Sequence, residues 1–346
     1  MFHRNSSDFH TRELGGFRLK IAMLLGIDKR DRIFGPEHLA QLRELGEVTL
    51  NEETGNPSEE QMRALIAGAD VAITSWGCGA LTERVLESAP NLQIVLHAAG
   101  TVKPIVTEAL WQRGVRVANA TEALGQGVAE TALGFTIVSL KDMWRLSRET
   151  AAGGWGDGSR VREVYGLTVG VVGAGRAGSH YIKLLQQFDV RIVLYDPFVS
   201  EEQARKMGAQ KLELEELLRE SDVVSIHLPS LPETYHMFNA ERLAMMKDDA
   251  VLINTARGSV IDEEALAAEL RRGRLFACLD VTDPEPPQAD HPFRTLPNVI
   301  LTPHLAGAVN NGLRRIAKGV VNDLRAYLDG RPLRGEVLAE QMHLLA

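Results

Sequence analysis

Cysteine is almost missing from this chain: Cys78 and Cys278 are the only two among 346 residues, and they form no C-x-x-C pair. A disulfide framework and a thiolate zinc site are thereby excluded, and a reducing compartment is expected. Histidine is present but not at metal-ligand spacing. His97, His227 and His236 have no neighbour of the right type and no H-E-x-x-H run occurs, so no metal is expected. An excess of basic charge is missing too, since 38 Lys and Arg against 46 Asp and Glu leave a net charge of −8. With no basic cluster to offset that balance, a nucleic-acid partner is excluded. Long apolar runs are absent as well: the first, Leu19 to Ile27, is interrupted by Lys20 and followed by KRDR. It is too short for a membrane span and wrongly flanked for a signal peptide, so a cytoplasmic protein with no membrane partner is expected. No repeat of twenty to fifty residues recurs and nothing is of low complexity, which removes solenoids and coiled coils. Serine and cysteine nucleophiles lack an elbow or a matching histidine.

What the chain does have is 45% apolar and 24% charged residues, spread over a length beyond the ceiling for one core, so two domains are expected. It is organised around Leu167 to Asp196. There LTVGVVGAGRAG is followed by the helical SHYIKLLQQFDV and the apolar RIVLYD. Gly173, Gly175 and Gly178 make G-x-G-x-x-G directly after a β-branched run and open a helix. The first permits a tight turn, the second lets backbone approach a pyrophosphate, and the third lets helix pack on strand. Amides at the helix start, aided by the macrodipole, would hold the diphosphate. Asp196, 18 residues past Gly178, stands where an acid accepts hydrogen bonds from ribose hydroxyls and repels a 2′-phosphate, which favours NAD over NADP.

Residues 1 to about 17 show no apolar period and read as an irregular arm. From Leu19 onward apolar runs alternate with helical patterns: IAMLL, EVTL, VAITS, LQIVL and VRVANA are strands of a parallel α/β sheet. Val128 to Glu149 keeps a helical period for about six turns and exits through AAGGWGDGS, a mobile connection. After Asp196 come the strands DVVSIHLP, DAVLINTARG, LFACLDV and NVILTPH, which with Val169 and Arg191 make six, as a doubly wound dinucleotide fold requires. The closing helix, with Leu313, Ile316, Val320, Leu324 and Tyr327 apolar, crosses back to the first domain. The expected architecture is a Rossmann NAD-binding domain at 136–309 inserted in a flavodoxin-like α/β substrate domain at 1–135 and 310–346.

Three residues stand at or just past strand ends of the nucleotide domain: Arg257, Glu285 and His304. A 2-oxo or 2-hydroxy acid needs a fork of donors for its carboxylate, a proton donor and acceptor for its oxygen, and a group tuning that acid. Arginine grips a carboxylate bidentately, histidine exchanges a proton near neutrality, and a carboxylate beside it favours imidazolium. Each also has a bland reading, as a turn cap, a solvated loop residue or a satisfied core histidine. Acidic runs such as Asp262, Glu263 and Glu264 lie at helix starts, where solvation and the dipole account for them.

Together with INTARGSVIDEEAL at 253–266, LDVTDPEPP at 279–287, LTPHLAG at 301–307, VAETAL at 128–133 and HLPSLPET at 227–234, the glycine turn resembles the D-isomer-specific 2-hydroxyacid dehydrogenases. The resemblance implies that Arg257 binds the substrate carboxylate and carbonyl, that His304 is the proton donor and acceptor, and that Glu285 pairs with it. It also implies cofactor contacts from Arg176, Ala177, Pro229, Thr234, Thr255, Ala256, Arg257, His304 and Gly307, with Asp280 on the nicotinamide carboxamide, and a homodimer with its contact on the 128–149 helix. The family's substrate loop often reads G-x-G-x-D, whereas this chain has AAGTVKP at 98–104 with Lys103 and Pro104. By position Ala99 and Gly100 offer amides to the carboxylate and Trp76 bounds the side-chain pocket. Glu285 stands where related formate dehydrogenases carry glutamine, which speaks against formate, and with the sequence ending at Ala346 the extra regulatory domain of long phosphoglycerate dehydrogenases is not expected. The reading is an NAD-dependent oxidoreductase interconverting a 2-oxoacid and a D-2-hydroxyacid. A phosphite dehydrogenase and an NAD(H)-sensing corepressor are the alternatives.

Overall fold

Apolar runs of a few residues bounded by turn residues become strands in the computed structural model, which describes residues 18–344; the arm expected at residues 1 to 17 lies outside them. In chain order the strands are β1 (Lys20–Met23), β2 (Glu47–Leu50), β3 (Val71–Thr74), β4 (Ile94–His97), β5 (Arg116–Asn119), β6 (Thr168–Val172), β7 (Arg191–Tyr195), β8 (Gln210–Lys211), β9 (Val223–Ile226), β10 (Ala250–Asn254), β11 (Leu275–Leu279), β12 (Val299–Leu301) and β13 (Glu336–Val337). They form two sheets, ordered β13-β5-β4-β3-β1-β2 and β12-β11-β10-β9-β6-β7-β8. Within the first, β1 to β5 are parallel in the 2-1-3-4-5 order of flavodoxin-like folds. The second is the doubly wound Rossmann order. β3, β4, β9 and β10 are buried along their whole length, as strands covered by helices on both faces must be.

The chain divides into two compact units, one from the described N-terminal residues to Leu124 together with those from Ala308 on, the other Gly125–Gly307. The first boundary thus falls at the start of the long helix and not at 136 inside it. In the first unit the last helix, Leu313–Leu328, buries Ile316, Val320 and Leu324 in the same core as β1, β3 and β4, each burial contributing about 1.5–3 kcal/mol. β13 then adds an antiparallel edge to β5, where Glu336 meets Arg116 at 2.6 Å.

Two further sequence expectations change. The helix expected to run unbroken over 128–149 is two helices, Thr121–Leu140 and Met143–Ala151. Asp142 between them has φ 50°, in the left-handed region; its amide closes the turn on Ser139 O at 3.0 Å and its carboxylate accepts from Arg145 Nε at 2.7 Å. A left-handed residue and its ion pair with Arg145 replace the next helical turn, which an apolar period does not register. The nucleotide sheet also has seven strands, the additional one, β8, being two residues long and too short to show a period. Thr121–Leu140 is the one described helix long and apolar enough to cross a membrane by length and composition; its Ala129, Ala132, Phe135 and Leu140 sit in the core of the second unit.

Register places the site. Cα pairing runs Val172–Ile226–Asn254–Leu279–Leu301 across the second sheet, so five strands end in one row. The segments that begin at 173, 227, 255, 280 and 302 therefore leave from the same edge.

Candidate active site

β6 runs into the glycine turn. Gly173 has φ +95°, and a Cβ there would lie 2.9 Å from the His227 carbonyl oxygen, while one on Gly178 would lie 2.0 Å from that of Gly173. Both positions therefore exclude any side chain. At Gly175 nothing lies within 4 Å of a Cβ, and Gly175 caps the helix Arg176–Leu185, whose first residues are Arg176 and Ala177. Asp196, at the end of β7, accepts the Ala174 amide on Oδ2 and the Phe198 amide on Oδ1, both at 2.8 Å. The acid thus holds the turn in shape from the neighbouring strand, a task its spacing does not disclose. Past β9, Thr234 is buried and ties its own loop, donating to Pro229 O at 2.7 Å and accepting the Leu231 amide at 2.9 Å.

β10 ends in Asn254, whose side chain organises the turn from Thr255 to Arg257. Its Oδ1 accepts the Ala256 amide at 3.0 Å and its Nδ2 donates to Arg257 O at 2.8 Å. The Thr255 hydroxyl, buried between them, has no partner. An open glycine turn at a helix N-terminus and an orphaned buried hydroxyl on the same strand row fit a dinucleotide cofactor. Arg257 Nη1 donates to Ala256 O at 2.7 Å. Burial lowers the basicity of its guanidinium and the nearby Glu285 charge opposes that; arginine stays charged throughout. A Cβ on Gly258 would lie 2.1 Å from the carbonyl carbon of Thr282, so only glycine lets the Arg257 segment touch the segment bearing Glu285.

Glu285 follows β11, and His304 follows β12. His304 Nδ1 and Glu285 Oε1 are 2.8 Å apart, with both side chains about half exposed. With Nδ1 engaged, Nε2 on the far side of the ring is left to exchange a proton. His304 has φ 53°, a backbone state that histidine adopts more readily than most residues. Asp280, 1% exposed, imposes it: its carbonyl accepts the His304 amide at 2.9 Å. Its Oδ1 takes Thr302 Oγ1 at 2.5 Å and the Leu305 amide at 2.9 Å, and its Oδ2 takes the Ala306 amide at 2.7 Å. Gly307 comes directly after. Arg257, Glu285 and His304 are thus brought together on one edge within the second unit. Among the described residues no group of three His, Cys, Asp or Glu is placed to hold a metal.

The profile of the D-isomer specific 2-hydroxyacid dehydrogenase NAD binding domain matches residues 133–306. The chain is 34% identical over 293 residues to a D-3-phosphoglycerate dehydrogenase of Methanocaldococcus jannaschii, covering 84% of this chain and 55% of that one. It is 33% identical over 298 residues to a glyoxylate reductase of Korarchaeum cryptofilum, covering 84% and 90%. The chain belongs to the D-isomer specific 2-hydroxyacid dehydrogenase family. A D-lactate dehydrogenase of Aquifex aeolicus, solved in complex with NAD and lactic acid, aligns with a TM-score of 0.65 over 90% of this chain and 96% of its own, at 27% identity. This dehydrogenase-family chain spans about half the length of the phosphoglycerate dehydrogenases it matches.

Residues 98–104, which the sequence reading compares with a substrate loop, lie in the first unit. Of the two amides expected to meet a carboxylate, that of Ala99 is already spent on His97 O at 2.7 Å, and Ala99 is fully buried. His97 shapes this loop: its Nδ1 lies 2.8 Å from Thr74 Oγ1 and the ring also bonds to the Thr101 backbone, while burial pushes its pKa down to about 4. Trp76, past β3, is 42% exposed. The sequence signal for His97 is weak, because a histidine ending an apolar strand reads like any other core residue.

Proposed function

We propose that the chain is an NAD-dependent D-2-hydroxyacid dehydrogenase that interconverts a 2-oxoacid and the matching D-2-hydroxyacid. The single observation carrying this reading is the 2.8 Å pair of His304 and Glu285 beside Arg257, on the strand-end row that begins with the glycine turn. When bound, the nicotinamide cofactor supplies or takes up the hydride. Arg257 holds the substrate carboxylate through its fork of donors and polarises the adjacent carbonyl. His304 Nε2 gives a proton to the carbonyl oxygen in reduction and takes it back in oxidation. Glu285 fixes the ring's orientation through Nδ1. Asp196 accepts hydrogen bonds from the adenosine ribose and disfavours a 2′-phosphate, which supports NAD as the preferred cofactor. The names of the relatives support glyoxylate and phosphorylated hydroxyacids as candidate substrates. Exposed Met143, Trp155 and Tyr165, at and beyond the helix break, support a homodimer.

NADH oxidation with a panel of 2-oxoacids (glyoxylate, hydroxypyruvate and its phosphate, longer aliphatic and aromatic acids) tests the reading, run on the protein and on His304→Ala. Turnover is expected with at least one acid, falling about 10²–10⁴-fold in the variant while NADH binding persists. NADH binding without turnover on any acid would favour the sensing protein. Full turnover by His304→Ala would remove the proton role.

A further inference from the structure

The acidic run at 262–264 does not behave as a solvated helix start. Asp262 caps the helix Glu263–Arg271 through the Ala265 amide at 3.0 Å and Glu264 is exposed, but the Glu263 side chain is 13% exposed. Its Oε1 accepts the Asp283 amide at 3.0 Å and its Oε2 lies 3.0 Å from His291 Nε2. The other ring nitrogen of His291, Nδ1, accepts the Phe293 amide at 3.3 Å, so Nε2 carries the proton and donates to the carboxylate. Both oxygens of Glu263 are therefore acceptors, the arrangement of an ionised group. Burial pushes this carboxyl up to about 7 and the Asp283 amide opposes the rise; a lone solvated carboxylate would need neither donor. One side chain ties residue 283 to residue 291, and the loop between them carries Glu285. From just past the loop Arg294 holds its Gln288 and Pro287 carbonyls at 2.7 and 2.6 Å, a further constraint on the span between the two ties.

We propose that Glu263 is a positioning residue for the reaction: by closing the 283–291 loop at both ends it fixes the Glu285 carboxylate at hydrogen-bond distance from His304. The inference rests on the reading of Glu285 and His304 as the proton relay. A carboxylate on a free loop would spend much of its time away from the imidazole, and loss of placement by about 1 Å costs on the order of a hundredfold in rate.

The test compares Glu263→Gln, His291→Ala and His291→Gln with the unaltered protein, and runs Glu285→Gln beside them. A glutamine at 263 keeps an acceptor for the Asp283 amide but turns an NH₂ toward the His291 Nε2–H. A glutamine at 291 still presents a donor where Nε2 stands. Glu263→Gln and His291→Ala are expected to lower kcat for 2-oxoacid reduction about ten- to a hundredfold with the KM for NADH unchanged. They should also move the histidine limb of the kcat/KM pH profile in the same direction as Glu285→Gln moves it, and His291→Gln should restore both. If the altered proteins melt earlier yet keep kcat and the pH limb, Glu263 is only structural and the proposal falls. Should Glu263→Gln not fold, the two His291 variants decide the matter alone. If Glu285→Gln itself leaves the limb in place, the relay reading fails, which separates that failure from this one.

Discussion

Asp280 and His304 are joined through both backbone and side chain: the His304 amide donates to the Asp280 carbonyl at 2.9 Å, and the Asp280 carboxylate takes the amides of the two residues after His304. Three donors converge on that carboxylate inside the protein, Thr302 Oγ1 being the third. Replacing Asp280 with Asn turns one acceptor into a donor facing a donor, which leaves a buried group unpaired at a cost of about 1–3 kcal/mol. Asp280→Asn is expected to melt earlier and to lose turnover more than substrate affinity, measured by thermal denaturation and steady-state kinetics. Unchanged turnover would show that His304 keeps its place without this anchor.

Asp196 holds the Ala174 and Phe198 amides, and the proposed function gives it the ribose as well. Asp196→Ala is expected to weaken NADH binding and narrow the preference over NADPH, both read from titrations of nucleotide fluorescence. A loss of affinity equal for the two nucleotides would assign Asp196 to the turn alone.

Gly175 and Gly178 separate cofactor approach from packing. Space around Gly175 is open, whereas a Cβ on Gly178 meets the Gly173 carbonyl oxygen at 2.0 Å. Gly175→Ala should melt like the unaltered protein and bind NADH more weakly, because its methyl occupies the approach to the helix N-terminus. Gly178→Ala should lower stability and binding together. Equal melting of the two variants would contradict the packing role.

His97 makes the first unit sensitive to acid. Its folded pKa of about 4 lies below the unfolded value of about 6.5, so between these values the unfolded chain binds the proton and the folded chain does not. Stability therefore falls as pH drops from 6.5 toward 4, by about 3 kcal/mol from this group. Urea unfolding of His97→Gln across that range should show a shallower decline than the unaltered protein. Parallel declines would place the acid sensitivity elsewhere.

The parallel alternation, the nucleotide turn and the three residues at strand ends are legible because each obeys a spacing rule: period two or 3.6, G-x-G-x-x-G, and the loop just after an apolar run. The same rules miss whatever depends on one donor finding one acceptor across the chain. Glu263 lies in an acidic run like any solvated helix start, and only its contacts with Asp283 and His291 set it apart. Asp142 breaks a helix inside an uninterrupted apolar pattern, since a left-handed residue alters no hydrophobic period. Ala99 sits where an amide for substrate is expected, yet the tight turn back to His97 consumes it, and such a turn has no signature in AAGTVKP.

The interrupted layout of the first unit has a consequence for synthesis. Its core needs Ile316, Val320 and Leu324 from the last helix, so it cannot be completed until residues beyond Ala308 have been made. The second unit, Gly125–Gly307, is whole before then. Domains ordinarily fold in the order in which they emerge; here the later one is ready first. A ribosome-bound chain ending near residue 307, once the tunnel is cleared, is expected to protect a fragment beginning near 125 from protease while its N-terminal part is digested. Equal protection of both parts would mean that the first unit closes without its final helix.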